Sequence, residues 1–112
     1  MTEPESVEEV FAEMKRRFDA PAAAGIDVTY RFVLSGRGGG TWSVVVRDGV
    51  CAVHSGEVDR PNLTVEMEAA DYLEMVAGRL DPQVAFISER LRLRGDLSLA
   101  TRMQSLFAAP NR

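Results

Sequence analysis

Apolar residues recur at helical spacing near the start of the chain, at Val7, Val10, Phe11, Met14 and Phe18, which predicts an amphipathic helix. Ser6 with Glu9 three residues on has the form of a capping box just ahead of that stripe. The other face carries Glu8, Glu9, Glu13, Lys15 and Arg16. The helix should therefore lie on the core as a lid, with Pro21 and the alanines up to Gly25 as its exit.

From Val28 the period changes to two. Val28, Tyr30, Phe32 and Leu34 point one way, while Thr29, Arg31, Val33 and Ser35 point the other, as in a half-buried strand. A glycine-rich turn from Gly36 to Gly40 leads to Trp42, Val44 and Val46. Asp48-Gly49 then supplies a tight hairpin into Val50 to Ser55, completing an antiparallel meander. After a polar loop from Gly56 to Asn62, Leu63, Val65 and Met67 alternate with Thr64, Glu66 and Glu68 as a fourth strand, and Leu91 with Leu93 marks a fifth.

Two short helices fill the gap between those strands: Asp71 is the expected cap of the first, which Gly78 stops, and Asp81-Pro82 opens the second. Gly95-Asp96 caps a last helix with the stripe Leu99, Met103, Leu106 and Phe107, ending before Pro110. Every strand has one apolar face, so helices should cover that face while the other meets water. The expected fold class is α+β, a two-layer architecture.

A chain of 112 residues fits one domain, expected to span 1–112 with its core from about residue 5 to residue 109. The net charge of −4 argues against nucleic acid as a partner, because neutralising phosphates needs a basic surface. Arg90, Arg92 and Arg94 alternate along the fifth strand and read as a solvated face. The single cysteine, Cys51, allows no internal disulfide and suits a reducing compartment. The acidic N-terminus has no signal-peptide pattern, no apolar run is long enough to span a membrane, and the chain ends Ala-Pro-Asn-Arg, so a cytoplasmic location is expected.

Two blocks resemble a known family. GGTWSVVVRDGVCAVHSGE, from Gly39, and ADYLEMVAGRLDPQVAFISERLRLRGDLSLATRMQSLF, from Ala70 to Phe107, are similar to the sterol carrier protein 2 family in the ordered combination of Gly-Gly, tryptophan, hairpin, Asp-Pro, Ala-Phe, strand, glycine and capped final helix. The resemblance implies a five-stranded, mostly antiparallel mixed sheet with helices on one face and an apolar cavity between the layers. Its ligand would be a sterol, fatty acid, fatty acyl-CoA or phospholipid, with transient membrane contact. The residues it implies for ligand binding are Phe32, Trp42, Val44, Leu73, Met75, Phe86, Leu99, Met103, Gln104 and Phe107, with Gln104 meeting the ligand's polar end. One departure stands out: Glu89 occupies a position where the family often has glycine, so a turn needing positive φ would be strained there.

Chemistry has little to build on. His54 is the only histidine and has no Ser, Cys or metal-ligand motif around it. Gly38-Gly39-Gly40 joins two strands and lacks a following Lys-Ser/Thr, so it reads as a turn and not a phosphate cradle. Ser88-Glu89-Arg90 and Asp59-Arg60 read as solvated neighbours. No catalytic residue, cofactor or metal is expected. The alternative is a small enzyme or accessory protein acting on, or presenting, a hydrophobic metabolite in the same cavity; as an enzyme it would use His54 or Tyr30 with an acid, and a pair made of these two needs both on one face of the sheet.

Overall fold

The computed structural model describes residues 6–56 and 60–106, with the side chains of Gln104 and Ser105 outside the description. In chain order the elements are α1 (Val7–Arg16), a short 3-10 helix (Pro21–Ala23), β1 (Asp27–Ser35), β2 (Gly40–Arg47), β3 (Val50–Ser55) and β4 (Leu63–Glu68), followed by α2 (Ala69–Val76), α3 (Pro82–Ile87), β5 (Arg92–Gly95) and α4 (Ser98–Leu106). The five strands form one open mixed sheet in the order β3-β2-β1-β4-β5. Only β1 and β4 run parallel; the other neighbours are antiparallel.

The turns explain this order. Asp48 and Gly49 both take positive φ, 55° and 73°, the geometry a two-residue hairpin needs to match strand twist. In the β1–β2 turn, a Cβ on Gly39 would stand 2.1 Å from the Leu34 carbonyl oxygen, so only glycine fits there. Ser6 Oγ accepts from Glu9 N–H at 3.2 Å, and Asp81 accepts from Gln83 N–H at 2.7 Å, so both expected caps form. Asp71 does not cap α2: the cap position is Glu68, and Asp71 lies in the first turn, where its charge still favours the helix dipole.

Register fixes the faces. Rows such as Val53–Val44–Tyr30–Leu63 lie under the helices, and rows such as His54–Ser43–Arg31–Thr64–Arg94 lie on the other side. This second face is less wet than its polar pattern suggests: Thr29, Ser43 and Thr64 are buried, and Ser43 Oγ donates to the Gly56 carbonyl at 2.9 Å. Arg92 and Arg94 project from this face, while Arg90 and Leu91 precede the strand, their N–H groups both bonded to the Ala85 carbonyl.

α2 and α3 end in the same way. Gly78, at φ 85°, follows α2, with Gly78 N–H bonded to Met75 O and Arg79 N–H to Glu74 O. Glu89, at φ 66°, follows α3, with Glu89 N–H bonded to Phe86 O and Arg90 N–H to Ala85 O. Both are Schellman terminations, which favour glycine at the left-handed residue. The strain anticipated for Glu89 is therefore present. Glu89→Gly should stabilise the fold by about 0.5–1 kcal/mol, the relief of left-handed strain exceeding the added freedom of the unfolded chain. A melting temperature that does not rise would contradict this.

Candidate functional site: an apolar cavity under the helices

The covered face of β1, β4 and β5 supplies a floor of Phe32, Leu63, Val65 and Leu93. Met14 of α1, Tyr72, Met75 and Val76 of α2, Pro82 of α3, Leu91, and Ala100 and Met103 of α4 close over it. The space between them, open on one side, is about 400 Å³, within the roughly 300–1,000 Å³ of small-molecule sites. Val76 and Pro82 are the exposed members of this lining and mark where the cavity opens.

The helices are held off the floor by a small number of fixed contacts. Phe11, only 1% exposed, meets Phe32 edge-on at 5.1 Å, stacks on Trp42 at 4.8 Å and lies 5.9 Å from Tyr72. This aromatic cluster fixes α1 over β1 and β2. Two residues before Phe32 on the same face of β1, the fully buried Tyr30 donates its hydroxyl to the Leu99 carbonyl at 3.0 Å, tying the first turn of α4 to the central strand. Asp19 N–H, after α1, donates to the Leu106 carbonyl at 2.8 Å and holds the end of α4. Between these attachments no side chain of the described residues fills the gap.

Of the residues expected to bind a ligand, Phe32, Met75 and Met103 line the cavity. Trp42 is half-buried against Phe11, Val44 is sealed in the core, and Leu73 packs on that core from α2. Leu99 is buried and its carbonyl serves Tyr30, while Phe86 points outward from α3, 49% exposed. Gln104 belongs to α4, but its side chain and the whole of Phe107 lie outside the described residues. Tyr72, Val76 and Ala100 line the cavity but are absent from the expected set. Tyr72, Met75 and Val76 share one face at i, i+3, i+4, as do Ala100 and Met103 at i, i+3, a signal that could have found them without saying that the face borders a void.

Polar chemistry is arranged elsewhere. Tyr30 and His54 lie on opposite faces of the sheet, since Tyr30 shares a row with Val44 and Val53, and His54 with Ser43 and Arg31. They cannot act as a pair. Among the described residues no three His, Cys, Asp or Glu side chains are grouped to hold a metal. Cys51 is buried, and burial pushes its thiol pKa up, away from the reactive thiolate. A larger depression of about 680 Å³ lies across the sheet from the apolar cavity, but Glu66, Glu68, Asp71, Glu89, Arg90 and Arg92 line it, and such a charged wall does not suit a hydrocarbon chain.

Residues 8–108 match the SCP-2 sterol transfer family. The chain belongs to that family. Over 107 residues it is 32% identical to hydroxysteroid dehydrogenase-like protein 2 of Mus musculus, an alignment covering 95% of this chain and 22% of the mouse protein. The chain thus spans about a fifth of that relative's length. Among solved structures, palmitated SCP2L2 from Aedes aegypti superimposes with a TM-score of 0.70 at 21% identity, covering 96% of this chain and 98% of the other. A double mutant of the sec-alkyl sulfatase PisA1 gives 0.85 at 20% identity, covering 95% of this chain but 17% of the enzyme. At these identities the structural likenesses show a shared SCP-2 fold.

The two buried tyrosines of this SCP-2 domain predict a loss of stability at alkaline pH. Burial, with a smaller push from Asp96 against the pull of Arg102, moves the Tyr30 pKa from 10.0 up to about 12. Burial alone also moves that of Tyr72 up. Between these values the unfolded chain has lost the Tyr30 proton and the folded chain has kept it. The unfolded state then binds fewer protons, so stability should fall as pH rises from about 10 towards 12, by up to about 1.4 kcal/mol per pH unit from this group. Denaturant titrations across that range check the slope; a flat profile would contradict it.

Proposed function

We propose that this SCP-2 domain binds and carries a hydrophobic ligand of the sterol, fatty acid, fatty acyl-CoA or phospholipid class, without catalysis. The observation that carries the reading is the cavity of about 400 Å³ whose floor and roof are aliphatic, aromatic and methionine side chains. Each methylene transferred there from water contributes about 0.8 kcal/mol, so an acyl chain needs no polar anchor to bind. Met14, Met75 and Met103 give the wall a deformable character that favours tolerance over tight selection. The palmitated Aedes aegypti relative supports a fatty acid as one acceptable cargo.

The relatives favour a second reading alongside the first. Similar domains sit within a dehydrogenase-like protein and a sulfatase, each several times longer than this chain. On this reading the present domain would hold a hydrophobic molecule for a catalytic partner.

Purification without detergent, followed by solvent extraction and mass spectrometry, should reveal co-purified lipid, and palmitate should displace a fluorescent fatty acid from the delipidated protein. An extract without lipid together with no displacement would overturn the proposal.

A further inference from the structure

Among the side chains that line the cavity, Tyr72 alone carries an N–H or O–H group; the others are aliphatic, aromatic or thioether. Its ring lies 5.9 Å from that of Phe11 and 5.8 Å from that of Phe32, and the residue is only 3% exposed. Yet the Tyr72 hydroxyl makes no hydrogen bond among the described residues, and it is not sealed into the packing either. For a residue this buried, the open space within reach is the cavity that it lines. Tyr30 gives the contrast, since its buried hydroxyl is bonded to the Leu99 carbonyl at 3.0 Å. A buried hydroxyl without a partner lowers stability, so the fold carries at Tyr72 a group that a ligand can satisfy.

The place of Tyr72 along α2 sets which end of a ligand it meets. Val76, one turn further on the same helical face, is 38% exposed at the cavity mouth. Tyr72 therefore lies about 6 Å inward of it along the helix axis. The surroundings set what kind of group it can take. No ionised side chain lines the cavity among the described residues, and burial pushes the Tyr72 pKa up, so the phenol stays neutral. One hydrogen bond from a neutral phenol does not offset the desolvation of a carboxylate, whereas it does offset that of a hydroxyl or a carbonyl oxygen.

We propose that Tyr72 is the ligand-selecting residue of the cavity, its hydroxyl hydrogen-bonded to the single neutral oxygen of a cargo that enters polar end first. The class of cargo is a neutral amphiphile with one hydroxyl or carbonyl oxygen on a large apolar body. The proposal rests on the cargo reading above and narrows it. A free fatty acid binds by its chain alone, with its carboxylate left in water at the mouth, and so gains nothing from Tyr72. The neutral amphiphile gains a hydrogen bond in a water-poor setting, where a ligand lacking that oxygen would leave the phenol unpaired.

Displacement of diphenylhexatriene, a fluorescent hydrocarbon with no polar atom, tests the selection in the native protein and in Tyr72→Phe. The substitution should lower the affinity for hexadecanol about three- to tenfold. It should not lower the affinity for hexadecane, palmitate or diphenylhexatriene itself. Because Tyr72→Phe keeps the ring contacts and removes only an unpartnered hydroxyl, the ligand-free variant should melt no lower than the native protein. Unchanged hexadecanol affinity in Tyr72→Phe, or a lower melting temperature that reveals a protein partner for the hydroxyl, would each overturn the proposal. An equal loss for palmitate would place a carboxylate at Tyr72 and overturn the selection of a neutral group. Failure of the native protein to bind any of these molecules would instead overturn the cargo reading on which the proposal rests.

Discussion

Phe11→Ala should lower the stability of the domain by about 3–5 kcal/mol, the range for truncating a buried aromatic ring. Phe11 is 1% exposed and is the one ring in contact with Phe32, Trp42 and Tyr72 together among the described aromatic contacts. Its loss removes transfer free energy and also the edge-on and stacked contacts that hold α1 over the sheet. Because α1 supplies Met14 to the cavity wall, the variant should also bind a fluorescent fatty acid more weakly at temperatures where it remains folded. Urea denaturation gives the stability change. A loss below about 1 kcal/mol would show that α1 is not held by this cluster.

Ala100→Trp should abolish ligand binding with little change in stability. Ala100 is partly buried and looks into the cavity from α4, so an indole there occupies space that the native fold leaves unfilled. Overpacking a filled core costs typically about 1–3 kcal/mol, but an existing void should absorb most of that strain. Affinity for the fluorescent fatty acid should fall about tenfold or more, equivalent to about 1.4 kcal/mol or more. A variant that melts near the native temperature and still binds normally would place the cargo outside this cavity. Trp42, whose ring packs on Phe11, offers a fluorescence signal with which to follow folding of the native protein.

Glu89 shows how far a single residue could be read in advance. The resemblance to the family raised the question of a left-handed turn at that position, and the Schellman bonds of α3 answer it. Phe86 shows the opposite. Set in an Ala-Phe pair on a helix, it reads as lining, yet six-residue α3 buries Ala85 alone and turns Phe86 outward. Helical spacing orders side chains around an axis but leaves the rotation of that axis to the neighbours it packs against.

Determined by the sequence alone were the elements and the covered face of each strand: the alternation from Val28 to Leu34, the Asp48-Gly49 hairpin, the caps at Ser6 and Asp81, and the glycine stop after α2. These are local properties, fixed by backbone sterics and by which side chains avoid water within a few residues of one another. Tertiary structure alone decided that β1 lies at the centre with β4 parallel to it, that Tyr30 and His54 are separated by the sheet, and that a gap remains above Phe32, Leu63 and Val65. A cavity is a place where side chains from distant parts of the chain fail to meet. Its existence depends on how far Phe11 and the Tyr30–Leu99 hydrogen bond hold the two layers apart, a distance that no periodicity along the chain encodes.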